Sequence, residues 1–247
     1  MDFSLVIPVY NEESCIEEVL AEALGVLREA DDLVGQWEVL LVDDGSKDRT
    51  AELIAAMAKD EPRIRLLRFE KNAGQTAAFE AGFHNANGEI VGMMDGDGQN
   101  DPADFPRLLA ALREKGVDMM CGVRQKRQDS AVRKISSRVA NNVRNWATKE
   151  TVTDVGCSIR VFRRDCLRRI KLWNGMHRFF PTLFRIEGFT LSEMPVNHRP
   201  RSSGQSKYGI NNRLWVGMRD IFAVRWMQKR ALRYRLMGET TRPDGTA

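Results

Sequence analysis

The 247-residue sequence is short of cysteine, histidine and long apolar runs, and each shortage excludes a class of protein. Its four cysteines have no paired spacing, which favours buried thiols in a reducing compartment over a disulfide framework. Its three histidines lack metal-ligand spacing, so we expect no zinc site. No apolar run approaches the ~20 residues of a transmembrane helix, and the N-terminus lacks the basic flank of a secretory signal. We therefore expect a cytoplasmic protein.

Two common phosphate-binding signatures are also missing. No Gly-x-Gly-x-x-Gly follows the first apolar run, and no Walker-type Gly-Lys-Ser/Thr loop occurs anywhere in the chain. These absences disfavour a dinucleotide-dependent oxidoreductase and a P-loop ATPase. A bound diphosphate would instead need a metal ion and basic side chains to neutralise it.

The charge is divided unevenly along the chain. Residues 1–120 carry 11 basic and 25 acidic side chains, a net charge of −14. Residues 121–247 carry 27 basic and 9 acidic side chains, a net charge of +18. The two halves neutralise each other in part, but the basic half also suits phosphates, anionic lipid or nucleic acid. Because no nucleic-acid-binding motif is present, we expect no nucleic-acid partner.

Short apolar runs alternate with helical patterns through the first half, which predicts an α/β fold with a mostly parallel sheet. The strands predicted there are Phe3–Ile7, Trp37–Val42, Ile64–Phe69, Glu89–Met94 and Val117–Cys121. The helices predicted there are Glu12–Arg28, Asp48–Ala58, Gln75–His84 and Pro102–Arg113. The less regular second half predicts a helix over Ser130–Trp146, strands over Ser158–Phe162 and Leu191–Val196, and a long helix over Asn211–Leu236.

Polar, glycine-rich segments follow the predicted strands, where parallel sheets bind their ligands. The sharpest of them is Asp95-Gly96-Asp97, after the fourth strand. Two carboxylates two residues apart can reach one hard cation, and Gln99 adds a third oxygen. Most Asp-x-Asp pairs are solvated turns, but the position at a strand end favours a site for Mg²⁺ or Mn²⁺ made by Asp95, Asp97 and Gln99.

Four ordered segments resemble the inverting, nucleotide-diphospho-sugar glycosyltransferases of family 2, in the dolichol-phosphate mannosyltransferase and polyprenyl-phosphate glycosyltransferase branch. The segments are 7–12 (IPVYNE), 42–50 (VDDGSKDRT), 72–75 (NAGQ) and 95–99 (DGDGQ). The resemblance covers about residues 3–230 and implies the GT-A, Rossmann-like fold. It also implies a metal-dependent hexosyltransferase that uses a nucleotide sugar.

The resemblance assigns the donor site to the first half of the chain. It implies that Asp95, Asp97 and Gln99 organise the metal on the diphosphate, with Asp97 also catalytic. The residues implied to bind the nucleotide sugar are Pro8, Tyr10, Asn11, Glu12, Asp43, Asp44, Gly74 and Asp95. For Asp43 and Asp44 the alternative is a simple capped turn.

The resemblance assigns the acceptor site to the basic half. It implies that Arg124, Arg133 and Arg201 are catalytic residues that hold the acceptor phosphate and the donor diphosphate, helped by Ser137 and Lys207. Arginine suits phosphate because its planar fork donates paired hydrogen bonds. The alternative for any single one of these arginines is a solvated surface charge. The segment from Asp154 to Arg160 matches the family more loosely.

Two departures from relatives narrow the reaction. The Gln-x-x-Arg-Trp of processive polysaccharide synthases is incomplete, because Arg225-Trp226 follows Phe222-Ala223-Val224. The acidic base of enzymes that glycosylate hydroxyls is also not evident. A phosphate monoester needs no base, since its second pKa of about 6 leaves it mostly dianionic at neutral pH. We therefore expect inverting transfer from GDP-mannose or a UDP-hexose to a polyprenyl phosphate.

Two other functions stay open at this point. One is family 2 transfer to a glycan or protein hydroxyl, and the other is a binding module of the same family that has lost catalysis. The intact Asp95, Asp97 and Gln99 set disfavours the second. The identity of the sugar, and the choice between GDP and UDP, do not follow from the residues.

The C-terminal region is predicted to be an interfacial helix. Residues 1–209 form the predicted GT-A domain, with a nucleotide-sugar half (1–120) and an acceptor half (121–209), followed by an amphipathic helix (210–237) and a disordered tail (238–247). Aromatic and basic residues alternate over 212–236, a composition typical of helices on anionic lipid. We expect peripheral attachment to the cytoplasmic face of a membrane. The alternatives are packing on the core, a homodimer contact, and a contact with a membrane-protein partner.

Overall fold

The structure of the protein is a computed structural model, and it describes residues 1–125, 145–148, 151–200 and 210–232. For residues 210–216 the description covers the helical backbone alone. Within these ranges the protein is an α/β structure built on one sheet. The predicted helix over Ser130–Trp146 falls outside them except at 145–146, which belong to a helical stretch over 145–148. The predicted tail over 238–247 also lies outside the described residues.

Seven strands of the described chain form a single sheet in the order β3-β2-β1-β4-β6-β5-β7. Only β6 among them runs against its neighbours, since it pairs antiparallel with both β4 and β5 while the other pairs are parallel. The strands are β1 (Phe3–Val9), β2 (Trp37–Asp43), β3 (Ile64–Arg68), β4 (Ile90–Met93), β5 (Met119–Arg124), β6 (Arg160–Arg163) and β7 (Leu191–Val196).

Helices cover both faces of the sheet and connect its parallel strands. They are α1 (Ile16–Glu29), α2 (Asp31–Val34), α3 (Thr50–Asp60), α4 (Gln75–Asn85), α5 (Asp104–Lys115), α6 (Arg164–Leu167), α7 (Phe180–Ile186) and α8 (Ile210–Arg230). A 3-10 turn over Met176–Phe179 precedes α7. The predicted α/β class with a mostly parallel sheet is therefore confirmed.

The apolar core lies in two layers, one on each face of the sheet. Alternate residues of β1 point to opposite layers: Leu5 and Ile7 pack on the side of α1 and α5, whereas Val6 packs on the side of α4. Every residue of β1 and β2 is buried, which is the pattern of central parallel strands. A Cβ at Gly82 of α4 would lie 2.3 Å from Val6 Cγ1, so glycine lets this helix pack close to the sheet.

Helix α1 begins four residues later than the sequence predicts. The predicted start was Glu12, but the chain turns at Asn11, whose φ is +52°, and α1 begins at Ile16. The backbone amides of Asn11 and Glu12 donate instead to Ser46 Oγ (2.9 Å) and Thr50 Oγ1 (2.8 Å). Long-range hydrogen bonds thus turn the predicted first helical turn into part of a loop at the edge of the sheet.

Candidate active site

Two loops meet where β1 and β2 end. The Asp44 amide donates to the Val9 carbonyl (2.9 Å), and the Lys47 amide donates to Asn11 Oδ1 (2.8 Å). Together with the bond from the Asn11 amide to Ser46 Oγ, these contacts hold the predicted residues Tyr10, Asn11 and Glu12 beside the turn over 43–48. Pro8 lies inside β1, and its carbonyl oxygen faces Gly96 of the Asp95–Asp97 segment. The first, second and fourth predicted motifs therefore share one edge.

The third motif is attached to the second through Asp44. This buried carboxylate accepts hydrogen bonds from the backbone amides of Ala73 (2.7 Å) and Gly74 (3.0 Å) and from Asn72 Nδ2 (2.9 Å). Gly45 allows the approach, because a Cβ there would lie 2.8 Å from the Asn72 amide and its φ is +72°. The position of Asp44 is thus that of an anchor for the loop over 72–74, behind the predicted nucleoside site.

Asp43 is buried and keeps one unused acceptor. Its Oδ1 accepts the Ser46 amide (3.0 Å), but its Oδ2 has no hydrogen-bond partner. Arg68 Nε lies 3.6 Å from that oxygen, too far for a good hydrogen bond. A cavity of about 460 Å³ opens beside these residues, and its lining includes Tyr10, Lys47, Arg68 and Asn72. The cavity combines an aromatic ring with cationic side chains, which suits a base and a phosphate.

The Asp95–Gln99 segment follows β4 and folds into a tight turn. Asp97 Oδ1 accepts the Gln99 amide (3.2 Å), and Asn100 Oδ1 accepts the Asp95 amide (2.9 Å). Both carboxylates are half-buried. Gln99 Nε2 donates to the Arg199 carbonyl (3.4 Å), which leaves Oε1 as the atom able to face a cation.

Electrostatics at Asp95 favour a cation. Burial, and then the neighbouring Asp97 charge, raise the pKa of Asp95 to about 6, although Ser158, Arg160 and Arg124 act in the opposite direction. Within the described residues no three His, Cys, Asp or Glu side chains come together as a metal site. Two close carboxylates and an amide oxygen still fit Mg²⁺ or Mn²⁺, since these ions commonly take their remaining ligands from substrate phosphates and water.

A second cavity, of about 230 Å³, lies next to Asp95. Gln75 at the start of α4 donates from Nε2 to Asp95 Oδ1 (2.7 Å) at its rim. Its other walls come from the 155–158 loop, from Arg160 of β6, and from His177 and Arg178 of the 3-10 turn. These elements meet because β6 is inserted between β4 and β5.

His177 is fixed in this cavity as a neutral ring. Thr76 Oγ1 lies 2.7 Å from His177 Nδ1 and also accepts the Gly175 amide (2.9 Å). Burial, followed by the positive charges of Arg178 and Arg160, lowers the pKa of His177 to about 3. A base this weak cannot remove a proton efficiently from a hydroxyl near neutral pH.

Arg124, the one predicted catalytic arginine inside the described ranges, is engaged by Asp154. Its Nε and Nη2 donate to the two carboxylate oxygens at 2.7 and 2.8 Å, in the paired geometry typical of arginine. Gly156 packs against the same guanidinium, where a Cβ would come within 2.8 Å of Nη2. Arg124 thus positions the 154–158 loop, and its predicted contact with a phosphate remains a prediction.

The other predicted acceptor residues, Arg133, Ser137, Arg201 and Lys207, lie outside the described residues. The chain leading to Arg201 does approach the acidic turn. The Arg199 amide donates to the Gln99 carbonyl (2.9 Å), and its guanidinium pairs with Glu22 (2.7 Å) and Asp101 (3.0 Å). The basic segment therefore starts beside the predicted metal ligands.

Several residues of the second cavity were not predicted. The 154–160 segment was noted as a loose family match, but neither Arg160 nor the pair His177 and Arg178 was selected. His177 and Arg178 stand in an irregular stretch with no motif of their own. Only the insertion of β6 beside β4, which is a long-range pairing, brings Arg160 close to Asp95.

The sheet order, the acidic turn after β4 and the nucleoside-sized cavity define the class of protein as a nucleotide-sugar-dependent transferase of the GT-A fold. Residues 4–171 match the family Glycosyl transferase family 2, more than half of the chain. The chain therefore belongs to glycosyl transferase family 2, and the family prediction made from its motifs is confirmed.

Curated relatives carry names from the predicted branch. The dodecaprenyl-phosphate galacturonate synthase of Rhizobium johnstonii is 34% identical over 235 residues, which cover 93% of this chain and 68% of the relative. The undecaprenyl-phosphate 4-deoxy-4-formamido-L-arabinose transferase of Edwardsiella ictaluri is 36% identical over 208 residues, which cover 84% of this chain and 63% of the relative. The chain thus spans about two thirds of the length of these relatives.

Solved structures agree on the fold. Glucosyl-3-phosphoglycerate synthase from Mycobacterium tuberculosis, in complex with Mn²⁺, UDP and phosphoglyceric acid, has a TM-score of 0.68 at 18% identity, covering 92% of this chain and 78% of that one. The mannosyltransferase PcManGT from Pyrobaculum calidifontis, in complex with GDP-Man and Mn²⁺, has a TM-score of 0.64 at 20% identity, covering 92% and 64%. At these identities the similarity establishes the fold, and the predicted GT-A fold is confirmed.

Proposed function

We propose that this glycosyltransferase transfers a sugar, with inversion, from a nucleoside-diphosphate sugar to a polyprenyl phosphate at a membrane surface. One observation carries the proposal: among the described residues, the cavity beside Asp95 has no second carboxylate in its lining. The imidazole there, His177, has a pKa of about 3. A site without an effective base suits a nucleophile that is already ionised, and a phosphate monoester meets that condition near neutral pH.

The donor nucleoside is assigned to the 460 Å³ cavity at the ends of β1 and β2. The unused Oδ2 of Asp43 is an acceptor that an N–H group of the base would satisfy. Tyr10 offers a ring for stacking, and Lys47 and Arg68 offer positive charge toward the phosphates. Asp44 supports this cavity indirectly, because it holds the loop over 72–74 in place.

The donor diphosphate is assigned to the acidic turn after β4. Asp95, Asp97 and the Gln99 amide oxygen would hold Mg²⁺ or Mn²⁺ there. A divalent ion bound at this position would neutralise the charge that develops on the leaving nucleoside diphosphate. The protein itself fixes the geometry, since Gln75 and Asn100 hold the side chain and amide of Asp95.

Two relatives named for prenyl-phosphate products or acceptors support the choice of acceptor. In this chain the acceptor phosphate would lie near the basic segment that starts at Arg199, with Arg201 and Lys207 beyond it. A single displacement then follows, in which a phosphate oxygen attacks the anomeric carbon and the nucleoside diphosphate leaves from the opposite side. This geometry inverts the anomeric configuration.

Helix α8 supplies a surface for the membrane. Met218, Phe222 and Trp226 follow one another at intervals of four residues, and all three are exposed, Phe222 to 70% and Trp226 to 63%. The opposite side of the helix packs on α7 through Val224, which is fully buried. Arg219, Lys229 and Arg230 are exposed beside the apolar row. Apolar and cationic groups together on one open face suit attachment to anionic lipid.

No helix in the described part of the chain is both long and apolar enough to cross a bilayer. We assign the protein to the side of the membrane where nucleotide sugars are made, the cytoplasmic face. A second candidate function, transfer to a glycan or protein hydroxyl, would need a base; among the described residues, the lining of the cavity beside Asp95 offers no carboxylate other than Asp95 itself, which is assigned to the metal.

The proposal is tested by incubating the purified protein with a panel of GDP- and UDP-sugars, Mn²⁺ or Mg²⁺, and a short polyprenyl phosphate. We expect a glycosyl phosphate whose anomeric configuration is opposite to that of the donor, as read by NMR coupling constants. The corresponding polyprenol, which differs only in lacking the phosphate, is the matched control and should accept no sugar. Transfer to the alcohol, or a product of retained configuration, would contradict the proposal.

A further inference from the structure

Arg160 is a buried cation with no acid paired to it. Its side chain is only 2% exposed, and its guanidinium donates to two backbone carbonyls, of Val155 (2.7 Å) and His177 (3.3 Å). Within the described residues no carboxylate oxygen lies within 4 Å of it, whereas Arg124, in the same part of the fold, is paired with Asp154. A buried charge without a counter-ion is costly, so proteins keep one where something else supplies the opposite charge.

Arg160 faces the 230 Å³ cavity beside Asp95, and Arg178 lines the same cavity from the 3-10 turn. Arg178 is exposed and Arg160 is buried, so the pair offers one guanidinium at the surface and one held in the interior. His177 between them is neutral and does not add charge. Two guanidinium groups around a small cavity are well matched to an oxyanion, to which each donates hydrogen bonds.

The acidic groups that face these arginines do not satisfy them. Asp95 lies across the cavity and is already bound by Gln75 at its Oδ1 (2.7 Å). Asp220 of α8 acts on Arg178 from outside the cavity, but the two groups are not within 4 Å, and Asp220 Oδ2 is itself buried without a hydrogen-bond partner. Within the described part of the protein, Asp95 acts on Arg160 and Asp220 acts on Arg178 across a distance, and neither acid forms a direct ion pair with its arginine.

We propose that Arg160 and Arg178 form an oxyanion subsite, next to the reacting centre, for a phosphate or carboxylate carried by one of the two substrates. The inference rests on the proposed function and specifies the chemistry of its substrates. Two sources share this chemistry: the phosphate of the acceptor, and a carboxylate on the donor sugar. The second source is a uronate, the kind of sugar named in the relative from Rhizobium johnstonii.

The subsite adds two arginines to the acceptor residues predicted from the sequence. The two possible sources of the oxyanion predict different effects of these arginines. If the oxyanion is the acceptor phosphate, the arginines act on every reaction regardless of the sugar. If it is a sugar carboxylate, they select uronate donors over the matching neutral hexoses and leave acceptor use unchanged. Either way the group must reach Arg160 through the cavity beside Asp95.

The test uses the full chain with Arg178→Gln, an exposed position where loss of folding is not expected, and with Arg160→Lys, which keeps the charge but not the fork. Arg168→Gln is the matched control, because Arg168 is exposed and, among the described residues, pairs with the exposed Asp165. Titration calorimetry measures Kd for UDP-galacturonate, UDP-galactose and a short polyprenyl phosphate. Transfer assays give KM for the same compounds.

An acceptor-phosphate site predicts that Arg178→Gln raises Kd and KM for the polyprenyl phosphate at least about tenfold, with nucleotide-sugar binding unchanged. A sugar-carboxylate site predicts the same loss for UDP-galacturonate, with UDP-galactose and the acceptor unaffected. If each compound binds with the same Kd to wild type, Arg178→Gln, Arg160→Lys and the control, the subsite is overturned. A wild-type protein that transfers no sugar, yet binds an oxyanion compound more weakly after Arg178→Gln, would refute the proposed reaction and retain the subsite.

Discussion

The acidic and basic halves of the chain use their charges in different ways. In the first half, the buried carboxylate of Glu38 is satisfied internally: it accepts hydrogen bonds from Ser4 Oγ (2.6 Å), Arg65 (2.6 Å) and the Asn87 amide (2.7 Å). Burial acts to raise the pKa of Glu38, but these hydrogen bonds outweigh it and hold the pKa below its usual range. In the second half, Arg160 is buried without an acid partner among the described residues. The Glu38 charge therefore stabilises the fold, whereas the Arg160 charge is left available for a ligand.

The exception in each half marks the proposed site. Asp95 and Asp97 are an acidic pair whose charges repel each other, and Arg160 is a buried cation with no acid within 4 Å among the described residues. The pair and the arginine lie at the same edge of the sheet because β6 runs beside β4. Unbalanced charges of both signs at one edge are what a substrate carrying a metal-bound diphosphate and a second anion requires.

The largest expected effect comes from removing a carboxylate of the Asp95–Asp97 pair. Asp97→Ala should lower sugar transfer by at least about 10²-fold, because charge on the leaving diphosphate is no longer neutralised. A Mn²⁺-dependent rise in melting temperature in the presence of nucleotide should disappear with it. Asp60→Ala, at an exposed carboxylate that ends α3, is the control and should retain both. Full transfer by Asp97→Ala would end the metal assignment.

A smaller loss, in nucleotide binding, is expected from a change at Asp43 beside the donor cavity. Asp43→Asn replaces one acceptor oxygen with a donor, so a base N–H facing Oδ2 would lose its partner. We expect nucleotide binding to weaken by about 10- to 100-fold, measured as Kd by calorimetry without acceptor. Ser46, whose amide bonds to Oδ1, should keep the loop in place. An unchanged Kd would show that Asp43 faces Arg68 alone.

The open face of α8 gives the next effect. Phe222→Glu combined with Trp226→Glu should weaken binding to vesicles of anionic lipid at least about tenfold, since two large apolar groups no longer enter the interface. Flotation of the protein with vesicles measures the loss. Trp173→Glu, at a 47% exposed tryptophan that is not part of α8, is the control. Undiminished flotation of the double variant would assign this face to a protein contact, a homodimer or a membrane partner.

A titrating group in each half, His177 in the basic half and Glu61 in the acidic half, should affect the stability of the protein in a different pH range. The pKa of His177 falls from 6.5 to about 3 on folding, so the unfolded chain binds more protons between these values. The contribution of the neutral His177 ring to the free energy of unfolding is therefore fully present above pH 6.5 and is lost as the pH falls toward 3. The loss at pH 5 is at most about 2 kcal/mol. Urea unfolding at pH 7.5 and 5 measures the loss, which His177→Gln should remove. An identical pH dependence in both proteins would rule out a neutral, buried imidazole.

The smallest expected effect lies in the acidic half. Arg63 hydrogen bonds, opposed by burial and joined by a bond from Arg28, lower the pKa of Glu61 from 4.5 to about 2. This stabilisation is present above pH 4.5 and is lost as the pH falls from 4.5 toward 2. Glu61→Gln should cost about 1 kcal/mol at pH 7, measured by urea unfolding. Its cost should shrink as the pH falls from 4.5 toward 2, while Glu52→Gln, on the exposed side of α3, should cost little throughout this range.

Much of the fold was predictable from local patterns. The strands Trp37–Val42 and Leu191–Val196 were predicted within one residue of their observed ends, and α4 was predicted with the correct first residue, Gln75. Errors occurred where distant contacts override local preference. The Asn11 and Glu12 amides donate to Ser46 and Thr50, so α1 begins later than predicted. Helix α7 was not predicted, because the buried pair Phe180 and Phe184 is its main helical signal and the rest of the stretch has no clear pattern.

The candidate site divides in the same way. The donor residues stand in short motifs at strand ends, so Asp95 and Asp97 could be selected by their spacing and Asp43 by the resemblance of its motif to the family. The cavity residues Arg160 and Arg178 come from β6 and the 3-10 turn, which adjoin Asp95 only after folding. Asp44 shows the reverse case, since its motif was visible but its role depends on hydrogen bonds to residues 72–74.

Periodicity predicted the α/β class, and the strand-end motifs predicted the glycosyltransferase family by resemblance and selected the acidic pair that is proposed to hold a metal, because each of these depends on residues close together in the chain. Strand order is different, since the antiparallel insertion of β6 depends on which surfaces bury the most apolar area. That packing decided which arginine met an acid, as Arg124 meets Asp154, and which was left facing a cavity, as Arg160 is. Charge neutralisation over tens of residues is a property of the folded chain.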